Sequence, residues 1–153
     1  MIRILFLATT ILLLNFSSFN QVIPINEPDY NKPKLFQGIP DNIAVSPLML
    51  NSLFEFLPGQ KISINFSKND LFQFEGEMVS VTSKYGNKIR SVIFSSSNYK
   101  GARLTISRYT DESGTIVYRG RILSLQNSDV YELQNHNGIY TLLKKKLYDL
   151  VNE

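Results

Sequence analysis

The sequence predicts a mainly β domain: an antiparallel meander of seven strands rolled into a curled sheet or barrel, with one short helix on its N-terminal side. Three observations lead there. From Gly59 onward apolar and polar residues alternate, with Ser, Asn, Asp, Lys and Gly clusters between the runs. The links between runs are short, which restricts neighbours to antiparallel pairing, because a parallel return needs about a dozen residues or more. Finally, Tyr118-Arg119-Gly120-Arg121-Ile122-Leu123-Ser124-Leu125 echoes Phe74-Glu75-Gly76-Glu77-Met78-Val79-Ser80-Val81, 44 residues earlier. Both octets read aromatic, charge, glycine, charge, two aliphatics, serine, aliphatic, and a weaker repeat extends over 60–107 and 98–146.

Residues 1–20 stand apart from this domain. Met1-Ile2-Arg3 is a short positive start, Ile4 to Leu14 is apolar apart from Ala8, Thr9 and Thr10, and Asn15 to Asn20 is small and polar. This is the pattern of a secretory signal peptide, and the run is shorter than the about 20 residues of a spanning helix. The expectation is a secreted protein, extracellular or periplasmic, with no membrane association after signal cleavage.

Residues 21–42 hold Pro24, Pro28, Pro33 and Pro40 without helical or strand period, and read as an extended arm or linker. Its Leu35, Phe36 and Ile39 are suited to docking on the domain. The single domain then runs from residue 43 to 153.

Ser46-Pro47 is a helix start, an N-cap oxygen followed by proline where its missing N–H costs nothing. Leu48, Met49, Ser52, Leu53 and Phe56 fall at the spacings of one helical face, and Pro58-Gly59 stops the run. Strands are expected at Lys61–Phe66, Leu71–Ser83, Lys88–Ser96, Gly101–Tyr109, Thr115–Gln126, Asp129–Gln134 and Ile139–Lys144. Asp111-Glu112-Ser113-Gly114 reads as a type I turn with glycine at the left-handed position.

Gly76 and Gly120 mark where the apolar face changes parity, from Phe72 and Phe74 to Val79 and Val81, and from Ile116 and Tyr118 to Leu123 and Leu125. That pattern predicts a bulge or bend at each glycine. Two such bends would curl the sheet; a flat two-sheet β-sandwich is the alternative. Lys144, Lys145 and Lys146 read as a guard against pairing at a strand edge.

The chemical inventory is thin. The 153 residues include one histidine, no cysteine and no tryptophan, which excludes disulfides, thiolate metal sites and multi-histidine zinc sites. His136 falls in a hairpin turn, a poor position for a base that must be held beside a nucleophile. Glu75 and Glu77 are placed for a charge stripe more than for divided acid and base roles. The formal charge of +3 becomes +2 without Arg3, with 15 basic residues against 13 acidic. Such a balance gives no footprint for nucleic acid.

These features point to a non-enzymatic binding module without cofactor or metal. Its ligand, a small apolar molecule or a partner segment, would sit against Phe72, Phe74, Ile116 and Tyr118, with Arg119 and Arg121 available to grip a carboxylate or phosphate. The alternative is a protein-directed module, such as an inhibitor or pro-domain-like partner of an extracellular hydrolase, working through the arm or an exposed strand edge.

Overall fold

The computed structural model describes residues 31–66 and 71–151. The expected signal segment, the first ten residues of the arm and the turn Ser67-Lys68-Asn69-Asp70 lie outside the described residues.

Eight strands form one antiparallel sheet curled into a half-barrel: β1 (Asn42–Val45), β2 (Lys61–Asn65), β3 (Gln73–Lys84), β4 (Ile89–Ser96), β5 (Arg103–Thr110), β6 (Ile116–Leu123), β7 (Asp129–His136) and β8 (Ile139–Lys146). Two short helices, α1 (Pro47–Ser52) and α2 (Leu147–Val151), complete the order. Strands β2 to β8 are the meander that the sequence predicts. The eighth strand is β1, which joins the outer side of β8 in the register Asn42↔Leu143 to Val45↔Tyr140. Four residues with one alternation, just after a proline, carry too little period to announce a strand. Its pairing partner lies at the far end of the chain.

The concave face carries the core. Ile43 and Val45, Ile62 and Ile64, Phe74 and Met78, Val92 and Phe94, Leu104 and Ile106, Tyr118 and Ile122, Tyr131 and Leu133, and Tyr140 and Leu142 supply two buried side chains from each strand in turn. Each pair is spaced by the strand period of two or a multiple of it.

In β3 the parity does switch, but at a bulge between Met78 and Ser80, where Met78 faces Phe94 and Ser80 faces Ile93. Gly76 lies before the bulge, in unbroken register between Ile62 and Ser96. In β6 the register runs unbroken from Ile116 to Leu123 against β5, so no bulge occurs at Gly120. Val79 and Leu125 are exposed, and the inward line is Tyr118, Gly120, Ile122. Both glycines are there for proximity. A Cβ on Gly76 would lie 2.2 Å from the Ser95 carbonyl oxygen, and one on Gly120 would lie 2.3 Å from Ile106 Cδ1 and 2.6 Å from the Thr105 oxygen.

Two plugs fill the ends of the half-barrel. At one end is α1. Ser46 caps it as expected, its Oγ accepting the Leu48 N–H at 3.2 Å, with Pro47 in the first turn. The helix ends at Ser52 and does not continue to Pro58. Its buried side is Leu50, Leu53 and Phe54, at i, i+3 and i+4, while Leu48 is 84% exposed. Of the expected stripe Leu53 is buried and Met49 and Phe56 pack against the core, whereas Leu48 points out and Leu50 and Phe54 take buried places, Phe54 because the chain turns after Ser52 and sends it inward against Tyr118.

At the other end the arm is the plug. Phe36 is fully buried, with its ring 5.0 Å from Tyr131, 5.5 Å from Tyr99 and 5.8 Å from Phe72. Burial of such a ring is worth roughly 1.5–3 kcal/mol, so this part of the arm belongs to the core. Polar contacts fix it. The Asp129 carboxylate, itself buried, accepts the Leu35 N–H at 2.6 Å and the Phe36 N–H at 2.9 Å. The Pro33 carbonyl accepts the Ser128 N–H, and the Tyr131 hydroxyl donates to the Pro40 carbonyl at 2.5 Å. Burial, with the Asp41 and Asp129 charges nearby, holds the Tyr131 phenol well above its usual range, so it remains a donor.

β1 covers the outer side of β8 over Tyr140–Leu143 and the Asp41 carbonyl takes the Lys144 N–H, so the C-terminal lysines stand where β1 ends. Lys144 reaches under the arm to the Ile39 carbonyl and forms an ion pair with Asp41 at 3.1 Å. Lys145 holds Glu132 at 2.7 Å.

Candidate functional site

Strands β6 and β7 part company half-way along their length. β6 stays paired with β5 from Ile116 to Leu123, and β7 stays paired with β8 from Asp129 to His136. Between β6 and β7, however, the ladder holds only from Gly120↔Leu133 to Leu123↔Val130. Beyond Gly120 the two strands diverge, and a cleft of about 690 Å³ opens between them on the convex side.

Tyr140, on the next strand, fills the apex of this fork. Its hydroxyl accepts the Tyr118 N–H at 3.1 Å and an Asn135 side-chain N–H at 3.2 Å. The Tyr118 donor is thus satisfied where a β7 carbonyl would otherwise stand. Ladder alternation turns the main-chain groups of Tyr118 on one bank, and of Asn135 on the other, into the gap.

The banks carry opposite chemistry. On the β6 side Arg119 is exposed and its guanidinium lies 5.5 Å from the centroid of Tyr109, a cation stacked on a ring. On the β7 side stand Glu132, Gln134 and His136. Burial alone would raise the Glu132 pKa, but the Lys145 and Gln134 hydrogen bonds and the Lys145 and Arg121 charges outweigh it. They hold the carboxyl below the usual glutamate range. Glu132 is therefore a fixed anion at neutral pH, matched by Lys145. Among the described residues Arg119 has the Tyr109 ring as its one side-chain partner, which gives the cleft a positive bank. No serine, threonine or cysteine is among the lining residues. The arrangement offers donors, acceptors, one cation and a ring face: the means of binding.

The six residues expected at a ligand site fall in three places. Phe72 and Phe74 are fully buried. Phe72 packs on Phe36, Phe66, Tyr99 and Tyr131 with ring centroids 5.0–5.8 Å apart, so this end of the concave face is filled by side chains. Ile116 is 48% exposed at the start of β6. Tyr118 is buried, its hydroxyl on Asn51 Oδ1 at 3.2 Å, while its main chain lines the cleft. Arg119 lines the cleft from the convex face, and Arg121, on the same face, stands opposite Glu132.

Glu132 and Gln134 were not singled out from the sequence, and Lys145 was read there only as an edge guard. The signal available was a Glu-x-Gln-x-His alternation in β7, which any solvent-facing strand shows. His136 ends β7 and is exposed, and Asn137 and Gly138 make the turn after it, with φ of 53° and 85°. These are the left-handed values of a two-residue type I′ hairpin. Glu75 and Glu77 are exposed on β3, and Lys61 stands directly across from Glu77. Among the described residues no group of three or more His, Asp or Glu is placed to hold a metal ion, and no helix is long and apolar enough to cross a membrane.

Comparison with known protein families, with curated proteins and with solved structures finds no match for this chain.

Proposed function

We propose that this protein is a secreted, non-enzymatic binding module that takes a small polar ligand, or a short extended peptide, in the cleft between β6 and β7. The observation that carries the reading is the early end of the β6–β7 ladder, which leaves a gap between the strands beside the Arg119–Tyr109 stack. The apolar interior offers less, since Phe36 and α1 occupy its ends. Secretion rests on the charge and apolar pattern of residues 1–20.

The test is native mass spectrometry of the chain recovered from its producing cell's secreted fraction, followed by denaturation to release what travelled with it. The expected result is a bound molecule that an Arg119→Ala chain of unchanged circular dichroism no longer retains. A bare chain in both preparations overturns the proposal.

A protein-directed role is supported by one separate feature. β2 is an edge strand, with ladder alternation turning the main chain of Lys61 and Ser63 away from β3, and exposed Leu57 and Leu71 lie beyond its two ends. A partner added at this edge would be lost on Ser63→Pro and kept on Arg119→Ala; cleft binding gives the reverse.

A further inference from the structure

Arg90 on β4 and Arg108 on β5 are directly opposed across the sheet. Opposed side chains of an antiparallel pair have Cβ atoms about 4.5–5.5 Å apart, and like charges so placed are destabilising. Both lie on the concave side at the α1 end, where their guanidinium carbons stand 5.9 Å and 5.1 Å from the Phe54 ring centroid. Both residues are half-buried, and neither forms an ion pair among the described residues.

The pair is held in place. Arg108 Nη1 donates to Asn51 Oδ1 at 3.1 Å, and the Tyr118 hydroxyl donates to the same oxygen at 3.2 Å. α1 thus fixes one guanidinium through Asn51, and the turn after it faces both with the Phe54 ring. The N–H groups of Arg90 have no protein acceptor among the described residues. Two cations that repel each other, share an aromatic floor and have no counter-charge among the described residues are pre-organised for an oxyanion, because the planar fork of arginine matches carboxylate and phosphate oxygens.

We propose that Arg90 and Arg108 form an oxyanion-binding site, which takes the carboxylate or phosphate group of a small ligand between their guanidinium groups and against Phe54. The site faces the interior side of the sheet, opposite the β6–β7 cleft, and stands independently of it.

Thermal unfolding of the whole chain, titrated with inorganic phosphate or with succinate and compared with sodium chloride at equal ionic strength, tests this. The expected result is a saturable rise in Tm with phosphate, succinate or both, beyond that in chloride; which anion acts separates a phosphate site from a carboxylate site. Arg108→Lys keeps the charge and removes the fork, and should weaken the effect about tenfold or more, the worth of one charge-assisted hydrogen bond. Arg90→Gln should abolish it while leaving Tm in anion-free buffer unchanged or higher, since repulsion is relieved; a merely structural arginine would lower that Tm. Arg103→Gln, exposed on the convex face, should respond as the unsubstituted chain does. A rise equal to that in chloride, or one that survives both Arg90→Gln and Arg108→Lys, overturns the proposal.

Discussion

The Tyr140 hydroxyl accepts the main-chain N–H of Tyr118 at 3.1 Å across a gap where the β6–β7 ladder has already ended. One side chain thereby does two things: it satisfies a buried donor, and it keeps the strands apart.

Tyr140→Phe therefore leaves the Tyr118 N–H without an acceptor. A buried donor left unpaired costs about 1–3 kcal/mol. Urea unfolding should show a loss of that size, and hydrogen exchange should quicken at the Tyr118 amide first.

Asp129→Ala should release the arm. The carboxylate binds two consecutive N–H groups of the arm, and hydrogen bonds to a charged acceptor are worth about 1.5–3 kcal/mol each. Limited proteolysis read by mass spectrometry should find new cuts between residues 31 and 41 in the variant, while the Asp129 protein stays intact there.

Gly76→Ala and Gly120→Ala should both destabilise, by the about 1–3 kcal/mol of an overpacked site or more, and they should differ in rescue. The nearest contacts of an added Cβ at Gly76 are main-chain atoms of Ser95 and Ser96, which cannot withdraw. At Gly120 the nearest is the end of the Ile106 side chain, so Ile106→Val should restore part of the loss there. The Thr105 oxygen keeps that rescue incomplete.

The Asp111 carboxylate should titrate below an ordinary aspartate. The Ser113 hydroxyl leads the causes, with the Thr115, Ser113 and Gly114 main-chain N–H groups adding to it. A depressed folded pKa gives a stabilisation that is present above the unfolded value, about 3.9, and is lost as pH falls through the folded one. Carboxyl NMR shifts against pH measure the midpoint directly. Ser113→Ala should move it up toward the ordinary range.

The meander was legible in the sequence because its signals are local: two-residue alternation, a Ser-Pro helix start, and turns such as Asn137-Gly138 and Asp111-Gly114. What escaped depended on distant partners. β1 is a strand only because β8 is beside it, and Lys144 and Lys145 of β8 hold the arm and β7. The Gly76 and Gly120 positions were visible as special, but the reason, close approach of a neighbouring strand, needs the register. The cleft had Tyr118 and Arg119 in the sequence reading, placed there with core residues. No periodicity marks the point where a ladder stops.

The docking of Leu35 and Phe36 on Asp129 also sets an order in time. The arm and β1 are synthesised before β7 and β8, with 93 and 94 residues separating the two sides of the Asp129 contact. During translation they have nowhere to go until the last strands appear. The sheet can begin as local hairpins, but closing its ends awaits a nearly finished chain, and such long-range closure is slow. A chain that stops before β7 would leave Phe36 and Phe72 without their common neighbour Tyr131, so this end of the core closes only with the last strands.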